Sequence, residues 1–136
     1  MCQHSDQGSD LPYEVDIALR DNHVRVCVTG ERRTGDAAFE AGQAGQHIVE
    51  FCRNSEVYRV LVILNLGGRL SAIDSYEIVD QSKDYGWDHH YRLAFVATNT
   101  ESADDVKFTE TIAVNRAYAV RQFTDEAEAV DWLLAE

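Results

Sequence analysis

Val60-Leu-Val-Ile-Leu64 is apolar without interruption. A strand with one face in water alternates apolar and polar residues. A run with no polar position needs cover on both faces, as in a parallel sheet flanked by helices. Leu93-Ala-Phe-Val-Ala97 repeats the pattern. Upstream, Tyr13–Leu19 and His23–Thr29 each alternate with period two across an Asp21-Asn22 turn, which predicts a hairpin.

Between these strands the period changes. Ala37, Ala41, Ala44, Ile48 and Phe51 draw one apolar stripe along a helix over Thr34–Cys52. Gly42 and Gly45 each cost that helix about 1 kcal/mol relative to Ala, and close packing against a sheet is the expected compensation. Ile73 to about Lys83 predicts a short polar-rich helix with Tyr76 and Val79 facing inward. Ala103 to Ala117 predicts another, through Ala103, Val106, Ala113 and Ala117. Ala119–Phe123 reads as a last strand. The helix after it is capped by Thr124 or Asp125 and has Ala127, Val130, Leu133 and Leu134 on its core face. The order is β-β-α-β-α-β-α-β-α. It predicts an α/β fold with a mixed, mostly parallel sheet of four to five strands, an N-terminal hairpin and about four helices.

At 136 residues with 45% hydrophobic residues, the chain suits one packed domain. We expect it over residues 13–136, preceded by a flexible tail over 1–12. No run approaches the roughly 20 apolar residues of a membrane span. The N-terminus lacks the basic and apolar regions of a secretory signal, so a cytoplasmic location is expected. The formal charge of −12 opposes binding to nucleic acid and anionic membranes. Cys2, Cys27 and Cys52 show no paired spacing, which predicts no disulfide framework, with Cys27 and Cys52 as small buried hydrophobes.

No complete catalytic motif is present. Trp87-Asp-His-His-Tyr91 offers an aromatic, a carboxylate and two imidazoles, but adjacent histidines point to opposite faces of a strand and chelate one ion poorly. GxSxG, GxGxxG and Walker patterns are missing around Gly67-Gly68. No catalytic residue, metal ligand or cofactor is therefore assigned. An enzyme working through His89 or His90 is the least favoured reading.

The serines after Gly67-Gly68 remain. Ser71-Ala-Ile-Asp74 matches a capping box, and Asp74-Ser-Tyr-Glu77 offers an equivalent cap one turn later with Ser75 in the first turn. Phosphate on Ser75 gains from the helix dipole and is opposed by Asp74 and Glu77.

These residues carry a family likeness. Leu64-Asn-Leu-Gly-Gly-Arg-Leu-Ser-Ala-Ile-Asp-Ser75 resembles the central motif of STAS domains, the anti-sigma-factor-antagonist fold, in which Asp-Ser-Ser-Gly opens a helix. Tyr91–Ala97 and Val120–Leu134, the latter with Phe123, an acidic cap and Trp132-Leu133, are similar to the SpoIIAA-like branch. The resemblance implies a regulatory domain without catalytic machinery, and a partner kinase that is also the anti-sigma factor. It also implies a phosphate acceptor at Ser75, while Tyr76 and Glu77 depart from the motif. Ser71, Asp74, Ser75 and Tyr76 are thus candidates for a phospho-acceptor or partner-binding site. A kinship of that branch with lipid-binding CRAL-TRIO domains implies an alternative. In that reading a small apolar ligand or lipid is held between sheet and helices, with Tyr76, Tyr85, Trp87 and Phe108 as candidate walls. A homodimer, paired through an end strand, is a further partner class.

Overall fold

The computed structural model describes residues 11–33 and 35–135. Most of the expected tail, with Cys2 and His4, and the expected helix start at Thr34 lie outside them. In chain order the elements are β1 (Tyr13–Leu19), β2 (Val24–Glu31), α1 (Ala37–Ser55), β3 (Arg59–Gly67) and α2 (Ala72–Ser82). A 3-10 turn (Lys83–Tyr85), β4 (Arg92–Ala97), α3 (Thr100–Asn115), β5 (Ala119–Phe123) and α4 (Glu126–Leu134) complete the chain. This is the expected order. The third helix stops short of the expected Ala117, which adopts a left-handed backbone with φ of 66°.

The five strands lie in sequence order, β1-β2-β3-β4-β5. β1 pairs antiparallel with β2, and every later pair is parallel. Strands that step across a sheet in one direction through right-handed crossovers put all their connecting helices on one face. α1, α2 and α3 accordingly share a face, and α4 alone packs on the other, against β3, β4 and β5. β3 shows why its run is unbroken. Val60, Val62, Leu64 and Leu66 join the core under α1–α3, whereas Leu61 and Ile63 join Ala129 and Leu133 of α4.

The layers differ in depth. α1 and α3 touch the sheet, but α2 rests on α1 and α3, bridging them above it. Gly42 and Gly45 serve this bridge, which corrects the expectation of packing against the sheet. A Cβ at 42 would stand 2.8 Å from the Gln81 side chain, and one at 45 would collide with the Tyr85 hydroxyl. Gln81 Nε2 also donates to the Ala38 carbonyl at 2.6 Å. Cys52 is a free thiol whose pKa burial pushes up to about 12, so it is inert at neutral pH. Cys27 is disulfide-bonded, contrary to the expected absence of disulfides.

Candidate functional site

β3 delivers its chain to α2 through a loop pinned from both sides. Gly68 has φ of 88°, a conformation that favours glycine, and its carbonyl accepts from Arg32 Nη1 at 2.7 Å. The next residues are held by Asp105 of α3. Its carboxylate accepts from Arg69 Nε and Nη2 at 2.9 and 3.1 Å, and from the Leu70 backbone N–H at 2.8 Å. The paired Arg69 guanidinium holds the Asp105 carboxyl below its ordinary range.

The helix start follows the first of the two capping registers. Ser71 is the N-cap. Its hydroxyl accepts the Asp74 N–H at 3.0 Å while the Asp74 carboxylate accepts the Ser71 N–H at 3.1 Å. The cap sets the phase of α2, and the phase decides which residues face inward. Those are Ser75, Val79 and Ser82, at steps of four and three. Ser75 is 1% exposed. Its Oγ lies 3.0 Å from Thr109 Oγ1, which is 2.9 Å from the Asp105 carbonyl. With one proton per hydroxyl, Thr109 donates to the carbonyl and accepts from Ser75. A phosphate on Ser75 therefore requires α2 to part from α3.

Two large apolar residues of α2 lie outside, where Ile73 is 70% and Tyr76 47% exposed, whereas Ile78 and Val79 face the space beneath the helix. Tyr76 thus reverses the expected inward orientation. Its ring meets exposed Phe108 of α3 edge-on, with centroids 5.9 Å apart. Ile73 and Tyr76 are three residues apart and share a helix face. The rim carries exposed Glu77 and Asp104, and Lys107, which is held by Glu110 at 2.7 Å.

The four candidate pocket walls are divided. Tyr85 and Trp87 border a cavity on the sheet side of α2, whereas Tyr76 and Phe108 lie on the outer surface. A wall made of all four is therefore corrected to two. Trp87 stacks on Tyr91 with centroids 4.4 Å apart and belongs to the core. His89 and His90 are exposed. His89 lies beside the Tyr118 ring, and His90 meets Tyr58 edge-on. Among the described residues no group of three or more His, Cys, Asp or Glu side chains is placed to hold a metal ion, and no helix is long and apolar enough to cross a membrane. Sequence reasoning missed Asp105 and Thr109, because nothing local links them to residues about one-quarter of the chain away. The Gly42 and Gly45 spacing was the only signal that α1 has a smooth face awaiting another helix.

No family model matches the chain, and no curated protein does. Solved structures do. The chain is similar to an anti-sigma factor antagonist from Mycobacterium paratuberculosis at 10% identity, covering 90% of this chain and 95% of that one with a TM-score of 0.59. The chain has a SpoIIAA-like fold. An uncharacterised protein with that fold from Shewanella loihica PV-4 is similar at 14% identity, covering 92% and 97% with a TM-score of 0.52. In this SpoIIAA-like frame the Gly67–Tyr76 segment forms the end of the central strand, its loop and the helix start, as the resemblance implied.

Proposed function

We propose that this protein is a non-enzymatic, cytoplasmic regulatory domain that binds a protein partner through the outer face of α2 and the adjoining surface of α3. The carrying observation is the apolar outer edge of α2, which buries Ser75 and Ser82 alongside Val79 yet leaves Ile73 and Tyr76 exposed. Burying Ile73 and Tyr76 inside would have stabilised the fold, so their exposure is best explained by a second surface that covers them. The likeness to an anti-sigma factor antagonist supports a regulatory role. Acidic residues on the rim and a net charge of −12 favour a partner with an apolar centre and a basic surround. In this reading Ser71 and Asp74 shape the helix start, Tyr76 makes contact, and Ser75 locks α2 to α3 instead of accepting phosphate.

A photo-crosslinking residue placed at Tyr76 in cells that make the protein tests the proposal, with exposed Asp131 of α4 as the control position. Capture of one protein from position 76 but not from 131, abolished by Ile73→Asp, is the expected result. Equal capture from both positions would overturn it. Capture of a second copy of this chain would identify a homodimer as the occupant.

A further inference from the structure

Cys27 lies in the middle of β2 with its side chain on the α4 face of the sheet, in one cluster with Ile63, Val96 and Leu133. The strand register sets Cys27 beside Ile63 and Ile63 beside Val96, so these three form one row across β2, β3 and β4. All three are buried. α4 packs against β3, β4 and β5, so the β2 end of the row lies beside the strands that the helix covers.

The disulfide at Cys27 says what else stands there. The chain has three cysteines, and Cys52 is a free thiol on α1, at the opposite face. Within one chain that leaves Cys2. The distance is no obstacle. Tyr13 pairs with Gly30, so β1 begins about 10 Å along and about 5 Å across from Cys27, whereas the chain from Cys2 to Leu11 reaches about 30 Å when extended. The bond requires Cα atoms within about 7 Å of each other. It therefore brings residues 1–10 over the sheet edge and onto the β2 end of the α4 face.

A second feature acts on the same sulfur. Arg25 is two residues before Cys27 and shares its face. Its Nε and Nη2 donate to the Glu126 carboxylate at 2.8 and 3.0 Å, and its Nη1 donates to Cys27 Sγ at 3.1 Å. Glu126, at the start of α4, fixes the guanidinium so that its remaining fork points at the sulfur. A disulfide sulfur gains little from that contact, but a thiolate gains a charge-assisted hydrogen bond.

We propose that Cys2 and Cys27 form a reversible redox latch that fastens the N-terminal segment over the β2 end of the α4 face, with Arg25 as the positioning residue that eases its opening. A dithiol reductant opens the latch in two exchanges. Its thiolate attacks Cys2 Sγ, because Cys27 Sγ is buried in the sheet face. The Cys2–Cys27 bond breaks, and its electron pair leaves on Cys27 Sγ beside Arg25 Nη1. The second thiol of the reductant then attacks the mixed disulfide, closes its own disulfide and releases Cys2. The reductant loses two electrons and two protons, and the two cysteines take them up as thiols. A small disulfide, as oxidant, reverses both exchanges. This latch lies on the face opposite α1–α3, and it does not depend on the α2 surface assigned to a protein partner.

The test uses the full chain. It is incubated with glutathione disulfide, its remaining thiols are blocked in denaturant, and its digest is mapped without reduction. A peptide crosslinked through Cys2 and Cys27, with Cys52 blocked, is the expected result. A covalent dimer through Cys27, a link to Cys52, or an unlinked Cys27 would overturn the latch. Reduction with dithiothreitol should lower the thermal midpoint by about 10 °C, the worth of closing a loop of this length, and should leave Cys2→Ser unmoved. Equal midpoints for oxidised and reduced wild type would show that nothing is fastened. Arg25→Gln should slow reduction by dithiothreitol about threefold or more at fixed pH, because the departing sulfur loses its cation, and Arg25→Lys should fall between. A purely structural arginine predicts the reverse, since loosening this face admits the reductant. Unchanged or faster reduction in both Arg25 variants would overturn its role.

Discussion

α2 and α4 cover opposite faces of the same sheet and use their side chains in opposite ways. α4 follows the ordinary rule. Asp125 caps it through the Glu128 N–H, Ala129 and Leu133 are completely buried, and Arg59 and Arg92 donate to its last carbonyls. α2 is capped just as well, yet points serines at the core and Ile73 and Tyr76 at solvent. The same local signals thus make one helix that serves the fold and another that leaves two of its large apolar residues outside it. Tertiary need explains α4 fully. It leaves the uncovered outer face of α2 unexplained.

Leu133→Ala removes a side chain with no exposure from the α4 core and should cost about 2–5 kcal/mol in urea unfolding. A loss below about 1 kcal/mol would mean that α4 is not the structural member of the pair.

Asp105→Asn tests the clamp that seats the start of α2. It weakens charge-assisted hydrogen bonds and should cost about 1.5–3 kcal/mol at neutral pH. The folded Asp105 carboxyl sits below its ordinary value of 3.8. Its contribution is therefore complete above that value and is lost as pH falls through the lower folded pKa. Urea midpoints of wild type and variant should differ most at neutral pH and converge below about pH 4. A gap that persists into acid would show that the carboxylate charge is not what holds the loop.

Ser75→Ala should cost about 1 kcal/mol, the loss of one hydroxyl hydrogen bond to Thr109. Ser75→Glu should cost more, because it places an uncompensated charge between α2 and α3. A Ser75→Glu variant as stable as wild type would reopen the accessible-acceptor reading of this serine. Smallest of all, Ile73→Asp on the outer face should change stability by no more than about 0.5 kcal/mol.

How far the sequence could be read follows the same division. The unbroken run of β3, the Ser71 capping box and β5 leading into Asp125 and α4 are local patterns, and each was legible because its cause lies within a few residues. Tyr76 was not, because an aromatic on a short helix is expected inside and only the cap register turns it out. Tyr85 and Trp87 were legible as interior aromatics, whereas Phe108 was misplaced with Tyr76. Gly42 and Gly45 showed a strained helix but not what it faced, since Gln81 and Tyr85 reach them from about 40 residues away. The Arg69–Asp105 clamp and the cavity are products of layer packing, which no window of sequence contains.

Whether the outer face of α2 is kept apolar for a partner is read from the affinity of Ile73→Asp for the protein crosslinked from position 76, measured alongside its urea midpoint. A partner seated on that face requires at least a thirtyfold weaker complex, roughly the loss expected of a hot-spot residue, with the midpoint unchanged. Wild-type affinity in the folded variant would contradict it.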